Sequence, residues 1–426
     1  MWPRARIDIG WADLGYAAAH CLFSDRSRAR EQAEDRWSDD GTALACLSVR
    51  SGLDLLLAAM DWPAETEILM SAINIGGMVR VIEHHGLKIV AVDLNHVDAA
   101  IREDLLESLL TPRTKAIVIA QLLGGRADLS SVVAFAQRHQ LLGIEDCAQA
   151  FAGSAYRGHD AADVSLFSFG PIKTATALGG AMLRVRDPQL RQRMQHIQRR
   201  YPVQSRLAYL RRIGFYSVLK FLGIRFVFRA FVAGCQWLGR DLEQTLNGSV
   251  RNFPGADFIG RLRQQPCAAL LRLMTRRFSG EVDTRITRRA ALGRLLASRL
   301  SARATVSDWA HNPLRCPGCL AENHVFWLFP VQVDQPQRVL EQLQQHGFDA
   351  TQGNALRAVT RANPEHVTVA AVMLDDAIYL PIYADLPETE VQRMADCLLA
   401  ATQVVPETTP APEVSPRSAD TAAPRP

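Results

Sequence analysis

The sequence predicts an α/β fold: a mostly parallel sheet in a large domain, followed by a smaller α+β domain. Three observations carry this. Between about residues 42 and 187, short apolar, β-branched runs alternate with segments of helical period, the pattern of βαβ units with a sheet covered on both faces. Residues 301–402 instead mix short strands and helices. The chain has 426 residues, 48% of them apolar, enough for more than one core.

The elements follow in order. Residues 1–40 are polar and charged after a short apolar start and are expected to form an N-terminal arm. Leu44–Met60 has the apolar spacing of a helix. Glu67–Ala72 reads as a strand, and Gly77–His85 as a helix stopped by Gly86. Lys88–Leu94, rich in Val and Ile, reads as a strand. Ile101–Leu110 is expected to be helical, Lys115–Leu122 a strand, Leu129–His139 a helix and Leu141–Asp146 a strand. Val164–Phe169 and Gly180–Val185 add two more. Ala268–Leu300 predicts one long helix. Val325–Val333 and Ala377–Leu380 read as strands, Gln337–His346 and Glu388–Ala400 as helices.

The expected organisation is an arm over 1–40, a large domain over 41–265 with an insert at about 200–250, and a small domain over 266–402. The tail 403–426, with six prolines, is too poor in apolar residues to fold and is expected to be disordered.

Charge is nearly balanced, 48 basic against 44 acidic residues, and no nucleic-acid partner is expected. The balance is uneven along the chain, for Arg191–Arg240 holds eleven Lys/Arg and no Asp or Glu. Eight widely scattered cysteines do not make a disulfide framework. The first residues, MWPRARIDIGWADLG, lack the apolar core of a signal peptide. A cytoplasmic location is expected.

Three pieces carry chemistry. Ile144-Glu145-Asp146-Cys147-Ala148-Gln149 lies at the carboxyl end of a predicted parallel strand, where open α/β sheets bind ligands. Ser168-Phe169-Gly170-Pro171-Ile172-Lys173 follows the next strand, and Gly179-Gly180 leads into another. Together they have the logic of a pyridoxal 5'-phosphate (PLP) site. That cofactor needs a lysine amine for its aldehyde and a carboxylate for its pyridine nitrogen. It also needs hydrogen-bond donors for its phosphate. Lys173, Asp146 and Ser168 supply one of each, and nearby glycines let backbone amides approach a phosphate.

On these residues the sequence resembles the DegT/DnrJ/StrS family of PLP-dependent sugar aminotransferases, which have the aspartate-aminotransferase fold. The resemblance extends to Ser51-Gly52, Glu67-Ile68-Leu69, Val92-Asp93, Thr111-Pro112-Arg113-Thr114-Lys115-Ala116-Ile117 and, more loosely, to His324–Pro330 and Tyr379-Leu380-Pro381. It implies that Lys173 is the catalytic lysine joined to the cofactor, that Asp146 faces the pyridine nitrogen and that Gln149 approaches the phenolic oxygen. Ser168, with the backbone of Gly52 and Leu53, would hold the phosphate, and Ile75 would cover the ring. It implies amino transfer from an amino acid, commonly glutamate, to a keto sugar or related keto substrate in surface polysaccharide, lipid or secondary-metabolite biosynthesis. It also implies a homodimer with active sites at the subunit interface. Relatives with histidine at the lysine position perform dehydration, and Lys173 argues against that branch.

Several positions depart from the family. Leu53 stands where Thr is usual, Ile75 where an aromatic ring is usual, and Asn74 where Thr is usual. Gln121-Leu122-Leu123-Gly124 replaces a His/Asn-Leu-Tyr/Phe-Gly stretch. Gly260-Arg261-Leu262 replaces an Asn-Tyr-Arg motif, and Arg261 or Arg263 is the cation left to compensate. These changes spare the cofactor chemistry and bear on the acceptor.

The insert reads LAYLRRIGFYSVLKFLGIRFVFRAFVAGCQWLGR over 207–240. Lys220, Arg225 and Arg229 interrupt any run approaching the ~18 residues of a spanning helix. At about 100° per residue, Arg211, Arg225, Arg229 and Arg240 share one arc. Such a segment suits peripheral contact with anionic lipid on the inner face of the membrane. It equally suits a helical hairpin packed on the body or in a subunit contact. Two other functional readings stay open: a PLP enzyme with different chemistry on a lipid-linked substrate, and a non-catalytic PLP-binding regulator at the membrane. Cys316-Pro317-Gly318-Cys319 reads as a turn, since no second cysteine pair stands at zinc spacing, and no metal is expected.

Overall fold

The computed structural model describes residues 1–402 apart from 5, 23, 238–256, 279, 302–313, 354–355 and 360–366. The predicted tail and the end of the insert lie outside the described residues. The core is a seven-stranded sheet built from β1 (Ala43–Cys46), β2 (Glu67–Ser71), β4 (Lys88–Val92), β5 (Thr114–Ala120), β7 (Leu142–Asp146), β8 (Val164–Ser168) and β9 (Ala181–Val185), in the order β1-β9-β8-β7-β5-β2-β4. From β8 to β4 every neighbouring pair is parallel. β9 runs antiparallel to both its neighbours. All residues of β1 and β2 are buried, which explains the apolar character of β1 and of the centre of β2, Ile68–Met70: both faces of the sheet are covered.

The strand expectations of the large domain hold to within a residue or two. Three helical expectations change. Leu44–Cys46 is the strand β1, bonded to β9 about 140 residues away in sequence, and the helix starts only at Val49. Its start is fixed by Ser48, whose hydroxyl accepts from the Ser51 amide at 3.1 Å, an N-cap. Ile101–Leu110 shrinks to a 3₁₀ turn over Glu103–Leu105 and one α-turn over Leu106–Leu109. The long helix breaks into Ala268–Arg277 and Gly280–Ser301. Phe278, just after the first, is buried between the rings of Trp37 and Phe169, with centroids at 5.0 and 4.9 Å. That aromatic packing outweighs continuing the helix.

The N-terminal segment carries two helices, Trp11–His20 and Arg26–Trp37. Their buried residues, Leu14, Ala17, Ala29, Ala33 and Trp37, pack into a second apolar cluster with Phe167, Phe169 and the helix Ala268–Arg277.

The C-terminal part builds a three-stranded sheet, β10 (Leu314–Arg315), β12 (Pro330–Val333) and β14 (Ala377–Tyr379). The helices Pro336–Gln345 and Glu388–Thr402 pack on it in a third cluster. Of the predicted strand Val325–Val333, only Pro330–Val333 is extended. Two short sheets stitch this part to the large domain: β3 (Ile73–Ile75) with β13 (Leu356–Ala358), and β6 (Gly125–Arg126) with β11 (Asn323–His324). Buried Asp93, just beyond β4, adds a third link. Its carboxylate accepts from the amides of Thr368, Val369 and Ala370 at 2.8–3.0 Å, at the first turn of the helix Val369–Met373.

Candidate active site

The carboxyl ends of β7 and β8 and the turn after β2 open into one cavity of about 1010 Å³. Asp146, Gln149, Ser168, Lys173 and Ile75 all line it, as do Gly179 and Gly180. Asp146 ends β7 and Gln149 follows it, Ser168 ends β8 and Lys173 follows it, Gly179 and Gly180 precede β9, and Ile75 ends the short strand after β2, so residues far apart in sequence meet only in the folded chain.

Lys173 follows β8 in a tight turn in which its amide donates to the carbonyl of Gly170 at 3.0 Å. Burial pushes its amine down to about 7, and Arg50 pushes in the same direction while Asp146 opposes. The side-chain nitrogen lies 3.8 Å from the centre of the Trp327 ring. Trp327 in turn donates from Nε1 to the carbonyl of Ile172 at 2.9 Å. Trp327 therefore clamps the turn that carries the lysine from the C-terminal side. Gly124, at φ +102°, makes the clamp feasible: a Cβ there would meet the Trp327 backbone nitrogen at 2.4 Å.

Asp146 is the last residue of β7. Burial raises its carboxyl above the usual range and adjacent Glu145 adds to this, while the Ala148 amide, donating at 2.9 Å, and Lys173 pull it down. Strand alternation points Glu145 to the opposite face. There it is fully buried and accepts from Gln121 at 3.1 Å, Tyr156 at 2.6 Å, Ser165 at 3.1 Å and the His159 amide at 2.9 Å. The adjacent acids thus have different tasks: Glu145 is a structural hub, and Asp146 is the carboxylate of the cavity.

Gln149 is anchored through Oε1, which accepts from the Leu123 amide at 2.9 Å, and lines the cavity beside Asp146. Ser168 accepts a long bond from the Gly170 amide, 3.4 Å. Ile75 precedes the helix Gly76–His84, and its amide donates to the side chain of Asn74 at 2.8 Å.

Gly52 and Leu53 are not in the wall. The Gly52 amide already donates to the Ser48 carbonyl at 2.9 Å. A Cβ at Gly52 would meet Leu183 of β9 at 2.7 Å, and Leu53 is fully buried in the main core. This glycine lets the helix sit close on the sheet. The wall is formed one turn earlier, by Ser48, Val49 and Arg50.

Three cavity residues escaped the sequence reading. Arg50 was hidden in a helical pattern, although an arginine in an otherwise apolar helix start was a usable signal. Asn74 was noted only as a departure. It is buried, its Oδ1 is used by Ile75, and its Nδ2 has no hydrogen-bond partner among the described residues, a donor open to a bound group. Trp327 sits in the loosely matching C-terminal stretch and gave no local signal.

Other family-like positions prove structural. Glu67 pairs with Arg113 at 2.8 Å. Asp93 caps a helix, as described above. Gln121 holds the Ala127 amide at 2.9 Å. Arg263 is committed to buried Asp54 at 3.0 Å, which His85 also contacts at 3.0 Å, whereas Arg261 lines the cavity. Cys316 and Cys319 are buried thiols flanking a turn at Gly318.

The insert forms part of the same cavity. The helix Arg206–Leu222 starts at Ser205, whose hydroxyl accepts from the Ala208 amide at 3.3 Å. It is fastened to the loop after Lys173: Tyr209, fully buried, donates to the Ala177 carbonyl at 2.7 Å, and Arg212 donates to the Leu178 carbonyl at 3.2 Å. Tyr216, Leu219 and Leu222, with Phe228 and Phe231 from the helix Arg225–Trp237, continue the wall. Among the described residues no helix is long and apolar enough to cross a membrane.

The residues fit PLP. A lysine amine, a buried carboxylate, a glutamine, a serine and an arginine converge on one cavity. One buried amide nitrogen there lacks a partner.

Comparison with known proteins agrees with this geometry. Residues 25–219 match the DegT/DnrJ/EryC1/StrS aminotransferase family. Among solved structures, the fold is similar to the aminotransferase TlmJ from Streptoalloteichus hindustanus, with TM-score 0.67 and 17% identity over 94% of this chain and 98% of that one. It is similar to the sugar aminotransferase CalS13 from Micromonospora echinospora, with TM-score 0.66 and 17% identity over 94% and 100%. It is also similar to NtdA from Bacillus subtilis with bound cofactor PMP, with TM-score 0.62 and 15% identity over 93% and 83%.

Proposed function

We propose, from the match of residues 25–219 to the DegT/DnrJ/EryC1/StrS aminotransferase family, that this chain is a PLP-dependent aminotransferase. It moves an amino group from an amino acid, glutamate in the simplest case, to a keto sugar or related keto substrate. The observation that carries the reading is the Lys173–Asp146 pair: a lysine amine lowered to about 7 sharing a buried cavity with a carboxylate. NtdA, of similar fold, holds PMP, the amino form of the same cofactor.

When bound, PLP supplies an aldehyde that accepts the amino group and a ring that withdraws electrons from the substrate carbon. The protein residues do the rest. An ordinary lysine is almost wholly ammonium at neutral pH, whereas burial and Arg50 leave a large share of Lys173 as free amine. That amine is a nucleophile and afterwards a base that can move a proton at Nζ. Asp146, with its carboxyl raised by burial, is the group to share a proton with the ring nitrogen. Asn74 Nδ2, Ser168 and Arg50, all in the cavity wall, would be the donors for the phosphate. Ile75, in the cavity wall, would cover the ring with an aliphatic surface that gives no ring stacking.

The test is amino transfer from glutamate. Purified protein loaded with PLP should change its visible absorbance on adding glutamate and release 2-oxoglutarate. Lys173→Ala should lose at least about a hundredfold of that rate, the usual share of a positioned acid–base group, while keeping its circular dichroism. Wild-type protein that binds PLP but answers to no amino donor would show a binding protein, and the reading would fail.

A further inference from the structure

The cavity continues past the cofactor residues into a wall supplied by the insert. Tyr216, Leu219, Leu222, Phe228 and Phe231 form it, and Phe228 and Tyr216 are buried. Leu380 and Ile382 line the cavity from the C-terminal side. A nucleotide placed there would lose water from its ribose and base against a wall in which Tyr216 alone carries a hydrogen-bonding group. An alkyl chain would lose nothing. Arg212 stands where this wall meets Gly179, its guanidinium held on the Leu178 carbonyl at 3.2 Å, a cation suited to an anionic link.

The same helices carry apolar residues on their outer side. Leu207, Phe215, Val218, Phe221 and Phe226 are 41–74% exposed. Arg211, Arg225 and Arg229 are exposed among them, and no acid occurs between Arg191 and Arg240. The helix pair is therefore apolar toward the cavity and carries exposed apolar residues interspersed with cations on the outside. That is the arrangement for passing a chain from an anionic lipid surface into the cavity.

We propose that the acceptor is a keto substrate joined through an anionic link, such as a phosphate, to a long alkyl or polyprenyl-type chain, and that the insert wall holds that chain. This rests on the aminotransferase reading and names its acceptor class. Arg212 holds the link, and Leu219, Leu222 and Phe231 pack on the chain.

The test uses PLP-loaded protein, with octyl phosphate and dodecyl phosphate as probes below their micelle concentrations and UDP as the nucleotide control, all by calorimetry. Each buried methylene strengthens binding up to about fourfold. Dodecyl phosphate should therefore bind at least about tenfold more tightly than octyl phosphate, and UDP more weakly than either. Leu219→Gln and, as a second variant, Phe231→Gln should weaken dodecyl phosphate at least about tenfold while the glutamate-driven absorbance change persists. Equal affinity for both chain lengths, or tighter binding of UDP, would overturn the proposal. So would Leu219→Gln splitting a wild-type oligomer, which would make this wall a subunit contact. Protein that answers glutamate but shows no chain-length dependence overturns the lipid acceptor alone. Protein that binds dodecyl phosphate yet never answers glutamate overturns the aminotransferase reading and, with it, the chain's assignment to an acceptor.

Discussion

The side-chain nitrogen of Lys173 stands 3.8 Å above the centre of the Trp327 ring, although 153 residues separate the two in sequence. The indole does two things at once. It presents a π-face to the ammonium, worth about 0.5–2 kcal/mol, and it shields the lysine from water. The amine is lowered to about 7 with burial as the first cause, the direction in which shielding acts.

Trp327→Ala should therefore raise the amine toward its ordinary value. Loss of the cation–π contact acts the other way by about one pK unit, less than the burial effect it opposes. PLP capture by the cofactor-free protein, followed by absorbance, should slow about tenfold per pH unit below the amine's pKa. In Trp327→Ala that falling limb should move to higher pH. Trp327→Phe, which keeps a ring but loses the bond to Ile172, should move it less. A limb that stays put in the alanine variant would show that the indole does not control the lysine.

The same burial affects stability. Above the ordinary lysine value both folded and unfolded chains hold a neutral amine. Between about 7 and 10.5 only the unfolded chain is protonated, so stability rises with pH across that window. Below about 7 the folded chain carries the whole cost of a buried ammonium. Lys173→Met should therefore stabilise the cofactor-free protein, by on the order of a few kcal/mol below pH 7, and the gain should shrink toward pH 10. Chemical unfolding at several pH values measures this. A gain that grows with pH would contradict the assignment.

Gly52 separates packing from phosphate binding. Its Cβ would meet Leu183 Cδ1 at 2.7 Å and Cδ2 at 2.9 Å. Gly52→Ala should cost roughly 1–2 kcal/mol of stability by overpacking, with PLP affinity changed by less than about threefold. Thermal unfolding and a PLP titration check both. A large loss of affinity at unchanged stability would return this position to the phosphate site.

Asp93 ties β4 to the C-terminal part through three backbone amides. Asp93→Ala leaves those buried donors unmet at a helix start and should cost about 2–4 kcal/mol. The loss should be resolved by denaturant titration. A shift within about 0.5 kcal/mol would mean that the link carries little load.

Local pattern decided most of the sheet. β4 and β5 are dominated by Val, Ile and Ala, because a strand covered on both faces has little polar side to show. Lys173, Asp146, Gln149 and Ser168 were legible because ligands sit where parallel strands end. Leu44–Cys46 was misread as helix because its partner β9 lies 140 residues on, and a run of apolar residues holds no record of its partner. Trp327, Asn74 and the insert's inner wall depended on contacts across the whole chain: a ring brought over a lysine, a buried amide turned to the cavity, a helix fastened to the loop after Lys173. What the sequence by itself determined is the layered sheet and the lysine, carboxylate, amide and hydroxyl chemistry at its strand ends, since periodicity and strand-end position are local. What only the tertiary structure decided is the environment of that chemistry: the shielding of Lys173, the packing task of Gly52 and the apolar wall beyond Arg212. Those depend on distance in space, which apolar burial sets collectively and no short stretch of sequence specifies.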